Sequence, residues 1–247
     1  MNPISSIGSM SGCDLNCTLE EARRICQTIS RHIGDLTDAS ARILLSSQKD
    51  RTKDSLRSAY VLTLLALDET GKMFKIWQIA ADAEKQGEPE KILVKDLFRD
   101  HELKGGLATD LCCQMFDCAV GWLDQMMNAE APGTHNYEAI KSVKVEFSKA
   151  IVHLKMVYQS FKSEREVAMY VSADNEREWT RRRPTISEAV TTENLLLWLV
   201  ANVANSYLNT KGRFDLAIIA LLDIRNGIPS DQAYAFYGRL MVGALTP

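Results

Sequence analysis

One stretch limits the folds open to this chain more than any other: Ala59 to Ala83, AYVLTLLALDETGKMFKIWQIAADA. It is apolar almost all the way round for its first nine residues. A helix of that kind has no solvated face, so it must be covered on several sides by other elements. Helical spacing puts Leu62, Leu65, Glu69, Lys72, Ile76 and Ile79 on one stripe. A carboxylate and an ammonium therefore interrupt a surface that otherwise reads as core. Burying charge is costly unless the charge is paired and hydrogen-bonded.

The rest of the chain supplies the cover. Thr18 and Glu21 form a capping-box signature. A helical period follows through Ala22, Ile25, Cys26, Ile29, Ile33 and Leu36 to Leu44. After the break at KQGEPEK, residues 91–128 read as a third helical region, a short helix meeting a long one near Gly105 and Gly106. AEAPGTHN is a turn. A fourth helix is predicted from Tyr137 to Met169. Further helices are expected from Ser187, across DLAIIALLDIR and across DQAYAFYGRLMVG. No stretch alternates convincingly as a strand would.

The expected class is all-α, an up-down helical bundle with additional C-terminal helices. Its organisation reads as a loose arm over residues 1–16, a bundle core over 17–171, an ordered loop over 172–186, and C-terminal helices over 187–247 packed on the bundle. Tyr170 and Val171 are expected to be extended.

Composition narrows the function classes. The 247 residues carry a formal net charge of −3, so no global basic field draws the protein to nucleic acid or membrane. The N-terminus lacks the pattern of a secretory signal, and the longest apolar run, Leu195 to Ala201, is too short to span a bilayer. A cytoplasmic location is expected. The six cysteines (13, 17, 26, 112, 113 and 118) then read as free thiols. They show no CxxC or zinc-type spacing, and neither a metal nor another cofactor is expected. Phosphate-binding GxxxxGK[ST], dinucleotide GxGxxG, HExxH and GxSxG patterns are absent.

Two constellations carry chemistry. Glu69 and Lys72 share an i,i+3 offset with His101 and Lys104, and both pairs interrupt apolar faces. Facing one another across a bundle core, they could form a metal-independent site that cuts RNA. His101 would act as acid or base, and Lys72 and Lys104 would stabilise phosphoryl charge. The competing reading is a satisfied polar layer that fixes helix register. The second constellation is Trp179 with Arg181, Arg182 and Arg183, where arginines beside an aromatic could grip RNA. Its competing reading is a solvated loop covering acidic helix faces. His32, His135 and His153 each stand alone.

Three segments resemble a known family. Leu67-Asp68-Glu69-Thr70-Gly71-Lys72 is similar to the ALEELGK segment of AbiV-type abortive infection proteins, which act in bacterial phage defence. Phe98-Arg99-Asp100-His101-Glu102-Leu103-Lys104 is similar to that family's FRDHxxK. Glu164 to Val171 resembles its LYVD segment, which leads to a Trp and a Pro, here Trp179 and Pro184. The three occur in the family's order across roughly residues 18–205.

The resemblance implies a bundle related to the HEPN superfamily, which often dimerises and includes toxin-like ribonucleases. It implies a role in blocking phage multiplication, by RNase-like action or by shutting down translation, with a homodimer, a phage-encoded protein as trigger and RNA as partners. It also makes Glu69, Lys72, His101 and Lys104 the carriers of the family's polar signature. The chain departs from the family's segments at Asp68, where the first acid is Glu, and at Ser172, where Asp is preferred, and it departs from the superfamily in its histidines. HEPN ribonucleases place an Arg four to six intervening residues before a His, and none of the four histidines here is so preceded.

Overall fold

A computed structural model describes residues 14–50, 53–86, 91–95 and 99–210. In chain order these residues form β1 (Leu15–Thr18), α1 (Leu19–Asp50), α2 (Lys53–Gln86), β2 (Lys91–Val94), α3 (His101–Ala129), α4 (His135–Gln159), α5 (Phe161–Met169) and α6 (Ala173–Thr210). The fold is all-α, with a single two-stranded ribbon among the described residues. The helices expected within 211–247, and most of the N-terminal arm, lie outside the described residues.

As its composition requires, α2 is the hub. It touches α1, α3, α5, α6 and β2, and it buries Tyr60, Leu64, Leu67, Met73, Ile76 and Trp77 almost completely. Each such side chain contributes about 1.5–3 kcal/mol of hydrophobic stabilisation. The capping box at the start of α1 forms as expected. Thr18 N–H donates to Glu21 Oε2 at 2.8 Å, and Glu21 N–H donates to Thr18 Oγ1 at 3.1 Å.

Five expectations need correction. Residues 15–16 are not arm, and 91–94 are not helix. The two segments pair antiparallel, Leu15 opposite Val94 and Cys17 opposite Ile92, with all four side chains buried. A four-residue strand is too short for its alternation to stand out from helical background. The third helix starts only at His101 and then runs unbroken through Gly105 and Gly106.

The long helix predicted from Tyr137 to Met169 is broken at Ser160, whose backbone (φ −154°, ψ 44°) ends α4 and begins α5. The break sets Phe161 against α3 at Gly105, where an added Cβ would lie 2.2 Å from the ring.

The segment 172–186 is not a loop: from Ala173 onward it is the first part of α6, which runs through Pro184. Proline inside a helix removes one backbone bond and costs about 3 kcal/mol. Burial on both sides of it, at Trp179 and then at Ile186, Ala189 and Val190, holds the helix together. The C-terminal part of α6 packs into the bundle: Asn194 Oδ1 accepts from Thr63 Oγ1 at 3.0 Å, and Ser30 Oγ donates to the Ala201 carbonyl at 2.5 Å.

Candidate functional site

The charged stretch of α2 meets the first turn of α3. Asp100 caps α3, its Oδ1 accepting from Leu103 N–H at 2.9 Å, which makes His101 the first helical residue. His101 Nδ1 lies 2.9 Å from Oδ1 of Asp68. Asp68 is buried, and its other oxygen is 3.4 Å from Lys72 Nζ. Lys72 also pairs with Glu69. Lys104 Nζ lies 4.0 Å from Asp68 Oδ1. One carboxylate therefore serves a histidine and two lysines, and it is Asp68 rather than Glu69.

The helices can approach this closely because residue 71 is glycine. A Cβ there would lie 2.0 Å from the Lys104 carbonyl oxygen. That close crossing seals Lys104, whose side chain is 0% exposed. Burial lowers its pKa, opposed by the charge of Asp68. A sealed ammonium cannot reach a substrate, so Lys104 is a structural member of the cluster. Lys72 and Glu69 are mostly buried and neutralise one another.

His101 differs from the others. Its side chain is 43% exposed. An Nδ1–H donated to Asp68 fixes the tautomer and leaves the Nε2 lone pair for a ligand. His101 lines an open groove of about 500 Å³. One wall is the start of α3, with Arg99, Asp100, His101 and Glu102. The other is α5 and the residue that follows it, with Lys162, Arg165, Glu166, Met169 and Tyr170.

The groove carries both signs: Arg99, Lys162 and Arg165 with Asp100, Glu102 and Glu166. Several surface bases elsewhere are matched to acids one helical turn away, as in Arg23–Glu20, Lys141–Glu138, Arg177–Asp174 and Arg181–Glu178, while Arg31 and Arg42 form no ion pair among the described residues. Arg99, Lys162 and Arg165 form no ion pair among the described residues. Arg165 packs its guanidinium 5.9 Å from the centre of the Phe161 ring, and its buried Nε has no hydrogen-bond partner.

The second sequence constellation does not assemble as an exposed grip. Trp179 is 6% exposed and lies beneath the Arg57 guanidinium, 4.8 Å from its centroid. It has no face free to stack a base. Arg182 is turned inward by helical spacing from Trp179 and pairs with buried Glu164. Arg181 is exposed and pairs with Glu178 at 2.7 Å, while Arg183 is half-buried. A loop would leave Trp179 and Arg182 in solvent; a helix packed on the bundle does not.

A further cluster was not legible from sequence. His153, which stands alone in the chain, is buried beside three helices. Its Nδ1 is 2.6 Å from Glu193 Oε1, and its Nε2 is 3.3 Å from the Tyr60 hydroxyl. Tyr60 also donates to Glu164 Oε2 at 3.1 Å. Burial pulls the His153 pKa down, but the charge and hydrogen bond of Glu193 outweigh it and the net shift is upward. Burial and the nearby carboxylates push the Tyr60 hydroxyl well above its ordinary value. With all four side chains nearly sealed, the cluster ties α2, α4, α5 and α6 together and exchanges no proton with a substrate.

Among the described residues, no three His, Cys, Asp or Glu side chains converge as metal ligands, and no helix is long and apolar enough to cross a membrane. Cys17, Cys26, Cys112 and Cys113 are buried free thiols, and burial raises the Cys17 pKa to about 11. Comparisons with protein-family models, with curated proteins and with solved structures return no match.

Proposed function

We propose that the chain is an RNA-cleaving effector of antiviral defence, of the AbiV type and HEPN-like, that blocks phage multiplication. The observation that supports this best is His101, held through Nδ1 by buried Asp68 and opening on a groove lined by Arg99, Lys162 and Arg165, which form no ion pair among the described residues. In this reading His101 Nε2 takes the proton of a ribose 2′-hydroxyl. The freed oxygen bonds to the adjacent phosphorus, and the bond from phosphorus to the 5′-oxygen breaks. Water protonates the leaving oxygen, and the products are a 2′,3′-cyclic phosphate and a 5′-hydroxyl. Arg99, Lys162 and Arg165 stabilise the charge that builds on the phosphoryl oxygens. The reading also carries a cytoplasmic location, a homodimer and a phage-encoded protein as trigger.

A second reading has a specific observation in its favour. Lys104 is sealed beneath Gly71, and Glu69 and Lys72 neutralise each other, as in a polar layer that fixes helix register. The protein would then be a non-enzymatic partner of a phage or host protein.

The experiment that separates them compares wild type with His101→Ala on total cellular RNA and tRNA, with EDTA present and circular dichroism on both proteins. Cleavage by the wild type alone, leaving cyclic phosphate ends, is the expected result. No cleavage by the wild type, with or without phage lysate, would hand the case to the interaction protein.

A further inference from the structure

The α5 wall of the groove ends in exposed apolar residues. Met169, Tyr170 and Val171 are consecutive, and Tyr170 is 62% exposed. Solvent-facing aromatics are usually mobile, but the backbone beneath this one is held. Tyr170 N–H donates to the Glu166 carbonyl at 3.0 Å, which closes the last turn of α5. The Tyr170 carbonyl accepts from Asn175 Nδ2 at 2.9 Å, and the same amide reaches the Glu166 carbonyl at 3.2 Å. Asn175 on α6 thus clamps the end of α5 and presents the phenol ring on a fixed stem. The ring shares the groove with Lys162 and Arg165, which have no ion-pair partner among the described residues.

A flat aromatic beside Lys162 and Arg165 matches a nucleotide with an exposed base and a phosphate. Only an unstacked base can lie on such a ring, and bases are unstacked in single strands, loops and bulges. We propose that Tyr170 is a base-stacking platform and that the groove takes single-stranded RNA, one unpaired base lying on Tyr170 with its phosphates against Lys162 and Arg165. The inference deepens the proposed RNA-cleaving role and rests on it for the identity of the ligand. Trp179, the aromatic that the sequence offered for this task, is occupied inside the bundle.

The test is fluorescence anisotropy with a labelled single-stranded RNA octamer and with the duplex of the same sequence. Full-length protein carrying His101→Ala is used so that cleavage does not intervene. Tyr170→Ala and Tyr170→Trp are then added singly. Stacking contributes enough that losing the ring is expected to weaken single-strand binding at least about fivefold, while Trp preserves it. The duplex is expected to bind at least about tenfold more weakly than the single strand. Equal binding by the Tyr170→Ala protein, equal binding of the duplex, or no binding of either RNA would each overturn the inference, the last leaving a protein as the ligand of this face. The two proposals fail separately. Wild-type protein that cleaves RNA, with Tyr170→Ala binding unchanged, removes only the stacking platform. Tyr170-dependent single-strand binding without any cleavage supports the platform and removes only the nuclease.

Discussion

At the residue scale, the decisive contrast is between neighbours Asp68 and Glu69. Both are carboxylates in the segment that resembles AbiV proteins, yet only Asp68 touches His101. If His101 is the base, Asp68→Asn should lower RNA cleavage by the folded protein by roughly a hundredfold or more, because the wrong tautomer then faces the substrate, and it should also lower stability, because it removes the charge beside buried Lys104. Glu69→Gln should lower it less than about threefold, since Lys72 retains Asp68 as a partner. Initial rates on one RNA, with circular dichroism on each variant, check both statements. Equal losses would show that the whole charged layer acts as a unit. The segment containing Asp68 was legible in the sequence, but the stripe drawn through Glu69 was one position off. An α-helix advances about 100° per residue, and α2 is covered on so many sides that periodicity cannot say which of two adjacent carboxylates is innermost.

At the element scale, two glycines within long helices have opposite roles. Gly71 sits where α2 meets the Lys104 backbone, and a methyl group there would lie 2.0 Å from a carbonyl oxygen that cannot rotate away. Gly71→Ala should therefore destabilise by about 1–3 kcal/mol or more, through separation of α2 from α3. Gly34, inside α1, has open space around it. Gly34→Ala should stabilise by roughly 0.5–1 kcal/mol through reduced chain entropy. Urea denaturation midpoints measure both, and opposite signs are the expected result. Two glycines in helical pattern look alike in sequence. What separates them is the neighbour each one meets, which exists only after the helices pack. The same reason explains α6: Pro184 and the arginine run read as a break, and burial of Trp179 and Ile186 kept the helix continuous.

At the scale of the whole molecule, the His153–Glu193 pair couples stability to pH. Its folded-state pKa is raised above the unfolded value of about 6.5. The protonated pair therefore contributes its full stabilisation below about pH 6.5 and loses it as pH rises through the higher folded-state value. Wild-type denaturation midpoints should fall between neutral and alkaline pH. The double variant His153→Gln with Glu193→Gln should lose that part of the slope; a single change would strand a buried charge. An identical slope in both proteins would assign the dependence to other groups. Nothing in the sequence marked His153, because its partners come from residues far apart in the chain. What the sequence determined by itself was the class. A helix apolar on nearly every side, flanked by long amphipathic segments with clear caps, has few ways to bury its surface other than a helical bundle. Which carboxylate holds His101, which lysine is sealed, and which aromatic remains in solvent were decided only by the tertiary structure. Those are properties of where two helices touch, and local periodicity holds no information about the partner across the contact.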